Sequence, residues 1–84
     1  MAMDPVKDAA RKILNALLES SMDGYRLQSK TNLSEQALRQ AVEELGELVT
    51  VQGNINSIGD AYFSILPSAQ GLAAQKRAML SMSS

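Results

Sequence analysis

Eighty-four residues, 45% apolar and 20% charged with a net charge of −1, suffice for one domain with one core and no second lobe. The chain has no cysteine and no histidine, which excludes disulfides, thiol nucleophiles, imidazole bases and Cys- or His-based metal sites, and its scattered acids lack calcium-loop spacing. No apolar run exceeds three residues, so nothing reads as a membrane span, and a cytoplasmic protein is the expectation.

The first helix is expected over about residues 5–20. Asp4 is a good N-cap and Pro5 suits the first helical position. Val6, Ala9, Ala10, Ile13, Leu14, Leu17 and Leu18 recur at spacings of three and four, an amphipathic stripe. A short second helix follows over about 24–31, capped by Asp23, with Leu27 and Thr31 facing inward. Asn32 suits a left-handed turn residue, because Asn tolerates positive φ. Ser34 then caps a third helix over about 35–47, whose buried stripe is Leu38, Ala41, Val42, Leu45 and Leu48. Gly46 weakens that helix near its end.

The period changes at Leu48-Val49-Thr50-Val51-Gln52, a β-rich run broken by Gly53-Asn54. A second strand is expected over 61–66, closed by Pro67. The two strands form a hairpin with a polar connection at about 53–60, and Ile55 and Ile58 extend either arm. Ser68 caps a last helix over about 69–81 with a wide, weak apolar stripe, and residues 81–84 fray. The expected fold class is mainly α with a small antiparallel β-hairpin, in the order helix, helix, helix, strand, strand, helix, as one domain over 1–84.

Residues 24–47 carry a helix-turn-helix spacing. Leu27 anchors the first of the two helices, Asn32 and Leu33 make the corner, and Leu38 and Ala41 pack the second helix back. Ala41-Val42-Glu43-Glu44-Leu45-Gly46-Glu47-Leu48-Val49 is similar to a recognition helix running into a first wing strand. Tyr62-Phe63-Ser64-Ile65-Leu66-Pro67-Ser68-Ala69-Gln70-Gly71-Leu72-Ala73 is similar to a second wing strand entering the turn and dimerising helix of MarR-like proteins. Over about residues 6–80 the chain resembles the winged helix-turn-helix superfamily of bacterial and archaeal regulators. The resemblance implies a winged-helix fold, with 48–66 as the wing, and transcriptional regulation through double-stranded DNA. Three departures stand against the pattern. Gln28 occupies a position where compact motifs favour Ala or Gly, no Lys or Arg occurs between Gln40 and Gln75, and Arg39 alone opposes Glu35, Glu43, Glu44 and Glu47 in the third helix region.

In that reading Gln36, Arg39 and Gln40 face base edges, since Gln can bridge adenine and Arg guanine. Ser34, Arg26 and Lys30 face phosphates, and Lys7, Arg11 and Lys12 are further candidates for the backbone. A capping role alone accounts for Ser34, and a solvated surface accounts for the others. Leu72, Met79 and Leu80, with Met82, are candidates for a dimer seam; packing on the first helix of the same chain accounts for them equally. The competing reading is a winged helix serving as a protein–protein interaction module in a larger assembly, favoured by the uncharged wing and the acidic third helix. Nothing points to an enzyme or a cofactor: no nucleophile–base pair and no Gly-rich phosphate loop is present.

Overall fold

The computed structural model describes residues 5–54 and 59–82, with the side chains of 81 and 82 excepted. Asp4, Ile55, Ile58 and the last two residues therefore lie outside the described residues, as does the Met82 side chain. The order is α1 (Pro5–Glu19), β1 (Met22–Asp23), α2 (Gly24–Thr31), α3 (Glu35–Leu45), β2 (Thr50–Gln52), β3 (Tyr62–Ser64) and α4 (Gln70–Met82). A mainly helical domain thus carries a small three-stranded antiparallel sheet in the order β1-β3-β2.

α1 buries Ala9, Ala10, Ile13, Leu14, Ala16 and Leu17 and packs against α2, α3 and α4. Its three buried alanines let the other helices approach closely. The fully buried large side chains are Phe63, Ile13, Leu14, Leu27 and Leu38, so α1, α2, α3 and β3 each supply part of one core.

β1 was not expected. Two residues carry no readable period, and the strand exists only through its partner. Met22 lies opposite Phe63 and Asp23 opposite Tyr62; on the other side Thr50, Val51 and Gln52 face Ser64, Phe63 and Tyr62. Phe63 therefore sits in the middle strand, flanked by buried Met22 and half-buried Val51. The segment before β3 also caps α2. Ala61 O accepts from Gly24 N–H at 2.8 Å, Gly59 O accepts from Tyr25 N–H at 3.1 Å, and the Asp23 carboxylate accepts from Arg26 N–H at 2.8 Å. The first three α2 amides, which no helix can satisfy internally, are thus all paired.

The chain reverses at Asn32, with φ 57° and ψ 35°, while its N–H donates to Gln28 O at 2.7 Å. This is the left-handed cap the residue type suggests. Buried Thr31 donates its hydroxyl to Leu27 O at 2.6 Å, and half-buried Leu33 fills the corner. Ser34 caps α3, its hydroxyl accepting from Ala37 N–H at 3.2 Å. α3 ends two residues before the expected boundary because Gly46 leaves it at φ 57°, ψ −121°, a conformation that suits glycine. A 3₁₀ turn, Gly46–Leu48, follows, so β2 begins at Thr50 rather than Leu48. A second 3₁₀ turn, Pro67–Ala69, takes the place of the expected Ser68 cap, and α4 starts after it and runs through Met82, past the point of expected fraying.

α4 turns Ala73 and Leu80 into the core against α1. Leu80, at 6% exposure, is a core residue of its own chain, which corrects its assignment to a dimer seam. Leu72 and Met79, at 61% and 59%, are exposed.

Leu38→Ala is expected to cost about 2–5 kcal/mol, because a fully buried leucine leaves a cavity at the centre of this core. Urea denaturation measures it, and a loss under about 1 kcal/mol would contradict the packing described. Asn32→Gly is expected to be neutral or stabilising and Asn32→Val destabilising, by the same measurement, because only the first accepts positive φ without strain.

Candidate functional site

α2, the Asn32 reversal and α3 position most of the candidate side chains. Ser34 is exposed at the N-terminus of α3 and is occupied by its own cap. Gln36 and Gln40, one turn apart, are both exposed on the outer face of α3. Arg39 is only half-exposed: its Nη2 donates to Glu35 Oε1 at 3.2 Å, and its Nε is buried with no partner. The residue chosen to read a base is thus held by a carboxylate one turn back. Glu43, Glu44 and Glu47 are exposed beyond it, so the outer face of α3 offers amides and carboxylates.

Arg26 is exposed on α2 and has no ion pair among the described residues. Lys30, at the other end of α2, pairs with Glu19 at 3.0 Å and ties α2 to the end of α1. Lys30 is therefore separated from Gln36 and Gln40 in its engagement: it faces α1, while they face solvent. Across the sheet, β2 and β3 present no cation, since none occurs in that stretch of sequence.

Further cations lie on α1 and α4. Arg11 and Lys12 both pair with Asp8, at 2.8 and 3.3 Å. Arg77 reaches from α4 to donate to Asn15 Oδ1 at 3.3 Å. Arg11, Lys12, Asn15, Ala16, Glu19, Lys30 and Thr31 line an open groove of about 280 Å³ between α1 and α2. Sequence reasoning named Arg11 and Lys12 only as further backbone contacts and did not name Arg77 or Asn15. Their 62-residue separation leaves no local signal.

A second hollow, about 250 Å³ and largely apolar, lies between α4 and the Gly46–Leu48 turn, lined by Leu48, Leu72, Gln75, Lys76 and Met79. The dimer candidates Leu72 and Met79 thus share one exposed face. No group of His, Cys, Asp or Glu among the described residues is arranged to hold a metal ion, and no described helix is long and apolar enough to cross a membrane. No protein-family model matches the chain, and no curated protein or solved structure is significantly similar to it.

The Arg11 hydrogen bond holds the Asp8 carboxyl below its ordinary pKa; partial burial opposes this, and Lys12 and the two positive charges reinforce it. A depressed carboxyl stabilises the fold at pH above the unfolded value and loses that contribution as pH falls through the folded value. Asp8→Asn is expected to lower stability at neutral pH by under about 1 kcal/mol, the scale of a solvent-screened pair, and to leave it unchanged at about pH 2. Urea midpoints of the parent and variant at the two pH values measure the difference; an equal deficit at both would remove the charge from the explanation.

Proposed function

We propose that the domain is a winged helix-turn-helix unit that binds double-stranded DNA, with α3 in the major groove and β2–β3 as the wing. The observation that carries this reading is the arrangement around Asn32. A left-handed reversal between α2 and α3 leaves Gln36 and Gln40 solvent-facing on one helix face, beside a sheet in which β1, between the first two helices, completes the hairpin. In this reading Gln36 and Gln40 bridge adenines, Arg39 exchanges Glu35 for a guanine, and Ser34 and Arg26 touch phosphates. A second copy joined through Leu72 and Met79 would set two α3 helices about one DNA turn, roughly 34 Å, apart. The role is regulatory binding in the cytoplasm, without catalysis.

The acidic face of α3 favours a second reading from another class, a winged helix that binds a protein within a larger assembly. Glu43, Glu44 and Glu47 are exposed, Glu35 occupies Arg39, and the wing carries no cation. DNA affinity rests largely on phosphate neutralisation, so each of these acids opposes it.

Fluorescence anisotropy on short random duplexes, titrated with salt, separates the two. DNA binding is expected to have a shallow slope of log affinity against log salt, about −2 to −4 per monomer. Glu43→Lys with Glu44→Lys is expected to raise non-specific affinity, and shortening within residues 54–58, which spares the Gly59 carbonyl that caps α2, is expected to leave affinity unchanged. Absence of parent binding at micromolar protein in low salt, with binding by the Lys double variant, would transfer the function to the protein partner. Loss of tight binding on shortening within 54–58 would contradict the passive wing.

A further inference from the structure

The outer face of the sheet, where it meets α2, displays both of the chain's tyrosines. Gly24 N–H donates to Ala61 O, and Met22 lies opposite Phe63, so Asp23 and Tyr62 form the narrow, non-hydrogen-bonded pair between them. Side chains in such a pair stand close, about 4.5–5.5 Å between Cβ atoms. Strand alternation sends Met22 and Phe63 into the core and leaves Asp23 and Tyr62 exposed on the opposite face. Tyr25 joins them from the first turn of α2. Its N–H donates to Gly59 O, and its ring lies against Gly59, the residue before Asp60. Tyr25 is 66% exposed and Tyr62 45%. Two carboxylates stand beside the rings. Asp60 is exposed and has no ion pair among the described residues. Asp23 gives one oxygen to the Arg26 N–H but has no ion pair among those residues either, with the Arg26 guanidinium or any other cation. β2 and β3 supply no cation of their own. Capping α2 needs one oxygen of Asp23, and packing against Gly59 needs one face of Tyr25. Neither accounts for two exposed rings flanked by two acids without counter-ions.

We propose that this face, formed by Asp23, Tyr25, Asp60 and Tyr62, docks a lysine- or arginine-bearing segment of a partner protein. A cationic side chain laid over a tyrosine ring is attracted by the ring's negative face, and the neighbouring carboxylates add charge-assisted hydrogen bonds. Charge complementarity selects this occupant. Exposed tyrosines could also stack the bases of a single strand, but Asp23 and Asp60 repel its phosphates and no basic groove runs beside the rings to hold them. The peptide cation meets the rings and the acids together. The surface uses none of Gln36, Arg39 or Gln40, so it stands or falls separately from the reading of α3 as a DNA-binding helix.

The test is a titration of the full chain with pentalysine, capped at both ends, followed by NMR at the Tyr25 and Tyr62 ring signals with ionic strength held by sodium chloride. Saturable ring shifts are expected, and the same peptide with acetylated side chains is expected to give none. Tyr62→Leu, which keeps an apolar side chain at an exposed position, is expected to weaken binding about two- to fivefold, whereas Tyr62→Phe, which keeps the ring, is expected to bind as the parent does. Asp60→Lys is expected to weaken binding at least as much as Tyr62→Leu, at an unchanged melting temperature. Should Tyr62→Leu lose its fold, Asp60→Lys reads the same loss at an exposed turn position. Ring shifts no larger than with sodium chloride alone, equal shifts from the acetylated peptide, or parent-like binding by the folded Tyr62→Leu and Asp60→Lys variants would overturn the proposal. Shifts confined to Glu43, Glu44 and Glu47 would overturn it as well, by placing the cation on α3. A short single-stranded oligonucleotide is the second arm: ring shifts with it, and none with pentalysine, would replace the peptide by stacked bases.

Discussion

Everything else in this domain rests on the apolar face of α1. Ile13 and Leu14 are completely buried, and α2, α3 and α4 all pack on the same helix. A chain of this size cannot afford two cores, so one helix must serve as the common wall. The small side chains of Ala9, Ala10 and Ala16 set the helix separations, and the large ones fill what remains. α3 therefore has its orientation fixed from behind, through Leu38, Ala41, Val42 and Leu45, before any ligand meets its front. The same wall fixes α4 through Ala73 and Leu80, which leaves Leu72 and Met79 outside.

The sheet is the second dependency, and it is nearly all non-local. β1 has two residues and β2 and β3 three each, too few for a hairpin to hold in isolation. Three supports replace length. Phe63 puts a full aromatic side chain beneath the middle strand, Met22 and Val51 flank it, and the carbonyls of Gly59 and Ala61 take the first amides of α2. The sheet edge and the start of α2 are thus one hydrogen-bonded unit. The Tyr25 ring lies so close to Gly59 that a Cβ there would come within 2.7 Å of it, which ties the approach to β3 to the same helix turn.

Local signals were legible and tertiary ones were not. The bounds of α2, the left-handed Asn32, the Ser34 cap and the buried Leu38 all follow from short-range chemistry: capping, φ preference and helical period. Gly46 was read as a weak point, but that it ends α3 outright follows from its positive φ, which sequence does not display. β1 had no signal, because strand propensity over two residues is meaningless without Phe63 beside it. Leu80 could not be told from Leu72 and Met79, since a wide apolar stripe does not say which edge meets α1. At the candidate site, the exposure of Gln36 and Gln40 followed from helical phase. The Glu35–Arg39 pair has the i,i+4 spacing and was readable in principle. The Lys30–Glu19 and Arg77–Asn15 contacts join separate helices and were not.

The placement of charge separates two faces of the molecule. α3 turns amides and carboxylates outward, and its arginine is neutralised in place. The α1–α2 groove is lined by Arg11, Lys12 and Lys30, each of them ion-paired with Asp8 or Glu19. Long-range attraction of a polyanion scales with the local excess of charge, not with the net value of −1, and pairing with Asp8 and Glu19 reduces that excess in the groove. Base reading requires close hydrogen bonds on α3, whereas electrostatic capture requires only proximity. In the DNA-binding reading proposed above, the acids of α3 would penalise any contact that lacks a matching base edge. In that same reading, low affinity for arbitrary duplex follows from these acids, and specificity would come from what Glu35, Glu43 and Glu44 exclude as much as from what Gln36 and Gln40 accept.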